Sequence, residues 1–128
     1  MSKIDLNALR LNLDQIKDIV TAPMSFEANL KTATRIYFPY RIKINRLRAI
    51  ATKAIAATDN GTVQGANSTG DSTGGLLTFT ASAAIDTEAT AVTPTTNNYV
   101  EAGSYYKLTS AKATSGGSCL VTIEYEKA

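Results

Sequence analysis

Histidine and tryptophan are absent from the 128-residue chain, and cysteine occurs once, as Cys119. Without histidine, the commonest general base at neutral pH, the usual metal ligand and every serine–histidine arrangement are missing together. A single thiol can close no intramolecular disulfide and cannot supply the thiolates of a zinc site or an iron–sulfur cluster. Cys119 falls in the apolar phase of an alternating run, which predicts a small buried hydrophobe rather than a reactive group. No glycine pattern ends in Gly-Lys-Ser/Thr or takes the G-x-G-x-x-G form that cradles phosphates. Carboxylate pairs at strand spacing exist in Asp86 with Glu88 and in Glu124 with Glu126, but each reads more simply as the solvated side of a strand. Together these absences predict a protein that is not an enzyme and needs no cofactor. No apolar run reaches membrane-spanning length, and the residues after Met1-Ser2-Lys3-Ile4-Asp5 carry acids and amides where a signal peptide would be apolar. A soluble product of a cytoplasm is the expectation.

What is present is unevenly distributed. All eight glycines lie after residue 60, so the two halves of the chain are differently composed. Residues 1–30 carry three basic and four acidic residues, residues 31–53 seven basic and none acidic, and residues 54–128 three basic and seven acidic. The sums −1, +7 and −4 give the net charge of +2.

The first block predicts an N-terminal helical arm over residues 1–30. Leu6, Leu9, Leu13, Ile16 and Val20 recur at spacings of three and four, with Asp5 as N-cap and Pro23 as stop. Such a stripe is costly to leave in water, so it predicts a partner-binding face and a homo-oligomer, a trimer favoured. Residues 31–128 are expected to form a β-sandwich domain that closes its own core without the arm.

The basic block reads as strand. Ile36, Phe38, Tyr40, Ile42 and Ile44 alternate with Tyr37, Pro39, Arg41, Lys43 and Asn45, while Pro39 demands an edge strand or two strands meeting at a kink. The alternation slips at Asn45 and Arg46, as a β-bulge would produce. Arg41, Lys43, Arg46 and Arg48 then make a positive face suited to docking on an acidic protein surface. The same block, interleaved with Tyr37, Phe38 and Tyr40, could hold phosphates and stack bases. Placing Phe38 and Tyr40 in a core, beside an acidic remainder of the chain, argues against nucleic acid as the partner.

Residues 54–128 hold 21 serines and threonines, with short alternating runs between glycine turns. Leu77, Phe79, Ala81, Ala83 and Ile85 define one apolar face, and Cys119, Val121, Ile123 and Tyr125 another. Thr114-Ser115-Gly116-Gly117-Ser118 reads as a hairpin loop joining the Tyr106–Leu108 strand to the last one, and residues 65–75 as a surface loop burying nothing. Runs at 34–51, 62–64, 77–85, 89–93, 98–101, 104–111 and 119–126 give about seven strands, the number of a small sandwich or jelly roll.

The arm, the basic first strand and the Thr/Ser/Ala/Gly-rich body lead into a characteristic ending. It runs Val100-Glu101-Ala102-Gly103-Ser104-Tyr105-Tyr106-Lys107-Leu108, then a Gly-Gly turn, then Leu120-Val121-Thr122-Ile123-Glu124-Tyr125. In texture, over nearly the whole chain, this resembles the capsid decoration (cement) and head-fibre proteins of tailed bacteriophages. The resemblance implies a jelly-roll-like virion component that binds the major capsid protein on the capsid exterior, often as a trimer. A carbohydrate- or cell-surface-binding fibre module is the alternative. There residues 65–75 and Thr93 to Tyr99 would supply hydrogen bonds, and Tyr99, Tyr105 and Tyr106 stacking surfaces.

Overall fold

The computed structural model describes residues 17–27 and 32–128. Eight strands follow in order: β1 Lys17–Ser25, β2 Thr32–Tyr37, β3 Ile42–Lys53, β4 Gly61–Asn67, β5 Asp71–Phe79, β6 Tyr99–Val100, β7 Tyr105–Ala111 and β8 Ser118–Lys127. They build two antiparallel four-stranded sheets, ordered β1-β8-β3-β6 and β2-β7-β4-β5. The pairing is nested: first with last in β1·β8, then β2·β7, β3·β6 and the hairpin β4·β5. A long hairpin rolled up on itself gives this order, with successive partners alternating between the sheets.

Both inner faces feed one core. Ala22 and Met24 of β1, Ile42, Ile44, Leu47, Ala49 and Ala51 of β3, and Cys119, Val121 and Ile123 of β8 meet Val63, Leu77, Phe79, Tyr106 and Leu108 of the other sheet. The period-two alternation read in β8 is the observed one, and Cys119 is 1% exposed. Burial pushes its thiol up to about 12. Native protein at pH 8 should therefore leave Cys119 unmodified by iodoacetamide over hours, while protein in denaturant should react fully; rapid native labelling would contradict this packing.

Residues 17–25, placed in the helical arm, form β1, paired with β8 from Lys17↔Glu126 to Ser25↔Ser118. Val20 faces inward opposite Ile123 and packs against the core. The β-branched run Ile19-Val20-Thr21 suits a strand. Pro23, read as a helix stop, is tolerated because β1 is a sheet edge and its missing N–H points away from β8. Leu6, Leu9, Leu13 and Ile16 lie outside the described residues, so the rest of the stripe does too. Because β1 contributes Ala22 and Met24 to the core, the sandwich does not begin at residue 31.

Residues 65–75, expected as a loop, are the β4–β5 hairpin. Its tight turn is made by Asn67, whose Oδ1 accepts from the backbone N–H of Thr69 at 2.9 Å and of Gly70 at 3.2 Å. The run expected as one strand from Leu77 to Ile85 ends at Phe79, and Ile85 is 58% exposed in a turn. The Gly-Gly segment, expected to close a hairpin, instead carries the chain from β7 in one sheet to β8 in the other. Gly116 and Gly117 adopt φ of 136° and 113°, and a Cβ on Gly116 would lie 2.6 Å from Ala56 Cβ.

Pro39 separates two strands in different sheets, and the bulge read at Asn45 and Arg46 is present as a register shift between Ile44 and Arg46. The far edge of β3 is covered by the segment between β5 and β6. Leu47 and Val92 exchange N–H···O bonds of 2.8 and 3.0 Å, and Ala51 N–H donates to Thr87 O at 2.8 Å. This covering segment lies where a strand at 89–93 was expected.

Candidate functional site

The strand directions gather the chemistry at one end of the molecule. β2 and β8 finish there, β3, β5 and β7 start there, and all six tyrosines lie within a few residues of it. Tyr106 and Tyr125 point inward. The Tyr106 hydroxyl is 2.9 Å from Ser72 Oγ, and burial raises it to about 12 against the opposing effect of that hydrogen bond. Tyr125 packs edge-on against Phe38 with ring centroids 5.0 Å apart. The other four tyrosines face solvent or the rim, with Tyr37 at 65%, Tyr40 at 42% and Tyr99 at 40% exposed. Tyr40 was expected in the core with Phe38. It is outside because the chain crosses between sheets over residues 38–41, and the strand alternation does not carry through a crossing.

Two backbone bonds fasten the crossing loops together: Phe38 N–H to Ser104 O at 3.0 Å and Gly103 N–H to Phe38 O at 2.8 Å. Cations lie over the rings they hold out. The Arg41 guanidinium sits 4.5 Å from the Tyr99 ring centroid, with Lys43 Nζ at 5.9 Å from the same ring. Arg35 lies 5.5 Å from Tyr105, and Lys127 Nζ 6.0 Å from Tyr40.

The four basic residues singled out from the sequence are not an unopposed positive face. Arg41 Nε donates to Glu101 at 2.9 Å, Arg48 pairs with Glu88 at 3.4 Å, and Arg46 stands 3.7 Å from Glu124. Lys43, Arg46 and Arg48 share the outer face of the β1-β8-β3-β6 sheet, where register places Lys43 opposite Glu126 and Arg46 opposite Glu124. The acidic residues of the last third of the chain have been folded against the basic block. Glu88 and Glu124, one member of each of the two candidate carboxylate pairs, serve here as partners to arginine.

Beside Arg46, an open cleft of about 480 Å³ is lined by Lys17, Asp18, Ile19, Asn45, Arg46 and Glu124. Asn45 Nδ2, on the bulge, is buried with no hydrogen-bond partner among the described residues. No three His, Cys, Asp or Glu side chains cluster as a metal site among the described residues, and these residues include no helix long and apolar enough to cross a membrane.

The opposite outer face holds a group that the sequence reading did not single out. Arg35 pairs across the ladder with Lys107, and Tyr37 with Tyr105. Side chains two apart on a strand share a face, so these four make a two-by-two array of two cations beside two rings. The rings meet edge to face with centroids 5.6 Å apart. The signal lay in the mirrored segments Arg35-Ile36-Tyr37 and Tyr105-Tyr106-Lys107, which match only when run antiparallel. Compared with models of known protein families the chain matches none, and a search of curated proteins returns no match.

Proposed function

We propose that the chain is a non-catalytic virion protein of a tailed phage, a jelly-roll decoration protein that binds the major capsid protein on the outside of the shell as a trimer. The observation that carries this reading is the nested pairing β1·β8, β2·β7, β3·β6 and β4·β5. That winding is the jelly roll, an architecture used by viral capsid and lectin domains. Fold alone leaves function open, so the resemblance to decoration and head-fibre proteins is the second support. A third is the placement of chemistry on outer sheet faces and at one loop end, as suits a protein held against another surface. The outer face of the β1-β8-β3-β6 sheet, with Arg46 and Arg48, is the docking side in this reading. Its arginines are 49% and 45% exposed at the side chain and can exchange their own carboxylates for those of a partner.

Co-sedimentation with bare shells of the capsid protein encoded alongside this chain tests the proposal. Wild type should saturate the shells in multiples of three. The double variant Arg46→Glu/Arg48→Glu should bind about tenfold more weakly and melt within a few degrees of wild type, since exposed ion pairs contribute about 0–1 kcal/mol to folding. Failure of the wild-type protein to bind the shells saturably would overturn the reading.

A further inference from the structure

We infer that the outer face of the β2-β7-β4-β5 sheet carries a binding site for an acidic polysaccharide, centred on Arg35, Lys107, Tyr37 and Tyr105. The first observation is electrostatic. Arg35 and Lys107 stand directly opposite each other on neighbouring strands, an arrangement that is destabilising for like charges. Among the described residues neither forms an ion pair, in contrast to Arg41, Arg46, Arg48 and Lys112, each of which has a carboxylate. A like-charged pair left without its own acid is complementary to an anion supplied from outside, and a planar carboxylate can bridge the two.

The second observation is the adjoining aromatic row. Tyr37 is 65% exposed and stands two residues along β2 from Arg35, whose guanidinium lies 5.5 Å from the ring centroid of Tyr105, the partner of Tyr37 across the ladder. Amphipathic rings held at a rim offer an apolar face to a sugar ring and a hydroxyl to its substituents. One unit of a uronic acid chain combines these needs, with its ring on the tyrosines and its carboxylate on the cations. Farther along the same ladder row, Ala66 continues from Lys107 and pairs with Asp71.

The choice against single-stranded nucleic acid rests on the surrounding charge. Asp71 lies in the same row, and Glu101 is at the same end of the molecule. A nucleic acid strand presents its phosphodiester backbone to these carboxylates with few hydroxyls to offset them, whereas a uronic acid chain carries free hydroxyls on every ring, for which these carboxylates and Ser68, Thr69 and Ser104 are hydrogen-bonding partners. This face is the reverse of the docking side proposed above, so the site stays open on a bound particle. The inference does not depend on the shell, because the free protein is enough to test it.

Isothermal titration of the full chain with tetragalacturonate should give saturable binding, with maltotetraose at least tenfold weaker because it lacks the carboxylates. Tyr37→Ala and Arg35→Gln should each weaken tetragalacturonate binding about tenfold or more while leaving the thermal transition in place, both residues being exposed. Wild-type affinity in both variants, equal affinity for the neutral oligosaccharide, or tighter binding of an oligothymidylate of eight nucleotides would each overturn the assignment. Shell binding by the same two variants should be unchanged, which separates this site from the docking side.

Discussion

Gly65→Ala should destabilise the protein by about 3 kcal/mol, the upper part of the range for overpacked cores, although it adds one methyl group. A Cβ on Gly65 would lie 2.3 Å from Tyr106 Oη and 2.8 Å from its Cζ, distances that no rotation of a methyl group relieves. The ring cannot move away cheaply. Tyr106 is 0% exposed, and its hydroxyl meets Ser72 Oγ, which donates to Asn97 O at 2.8 Å. A displaced ring would therefore break a buried hydrogen bond on the β5 side as well as collide with β4. Urea unfolding should show a lower midpoint with an unchanged slope, since the same surface is exposed on unfolding. Tyr106→Leu removes the ring that collides, so the double variant should cost less than the sum of the two single changes. A Gly65→Ala protein with the wild-type midpoint would mean that the ring does not lie across β4.

The same contact explains why the β4–β5 hairpin was illegible in the sequence. Gly65, Ala66, Ser72 and Gly75 are buried yet carry no apolar bulk, because Tyr106 from β7 fills the space over Gly65. An apolar alternation cannot be read where the volume comes from another strand. β8 and the inward half of β3 were legible for the opposite reason: Cys119, Val121 and Ile123, and Ile42 and Ile44, fill their own space at period two. The bulge at Asn45 was visible as a phase slip for the same reason. β1 is hidden because Val20, four positions after Ile16, continues the 3-4 spacing that precedes it, and only the partner β8 brings out the period of two in Val20, Ala22 and Met24.

The site was less legible than the fold. Arg41, Lys43, Arg46 and Arg48 are legible by sign and by strand phase; Lys43, Arg46 and Arg48 lie on β3 as the alternation predicts, and Arg41 stands just before it. Their carboxylates come from 40 to 78 positions later, at Glu88, Glu101 and Glu124, so the degree of neutralisation depends on the winding of the chain rather than on local composition. Arg35 and Lys107 are 72 positions apart and become a pair only through the β2·β7 register. Charge counted along a sequence gives the sign of a segment. Whether that charge is free is a property of pairing between strands.

At the end of the molecule remote from the tyrosines, Asp59→Ala should be more harmful than removing Asp59 and its partner together. Lys112 is the reason: its side chain is 0% exposed, and its ammonium donates to the Asp59 carboxylate and, at 2.8 Å, to the Asp59 carbonyl. Asp59 also accepts from the Thr114 hydroxyl at 2.7 Å and from the Thr114 N–H at 3.2 Å, which ties the β3–β4 loop to the arch between β7 and β8. Taking away the carboxylate leaves a buried ammonium with one carbonyl, and an uncompensated buried charge costs more than the pair ever contributed. A fall in Tm of about 10 °C or more is expected for Asp59→Ala. Asp59→Ala/Lys112→Met, which replaces the cation by an apolar chain of similar length, should recover much of that fall. Acid should mimic the single variant. The Lys112 ammonium, then the Thr114 hydroxyl, hold the Asp59 carboxyl well below its ordinary value of 3.8. The unfolded chain therefore takes up the proton first, so the stabilisation is present above about pH 4 and is lost as the pH falls toward the depressed native value. Melting curves from pH 6 down to pH 2 should show a steeper decline for wild type than for the double variant, which lacks this group. Parallel declines, or a single variant no less stable than the double, would show that Lys112 does not depend on Asp59 for its place in the interior.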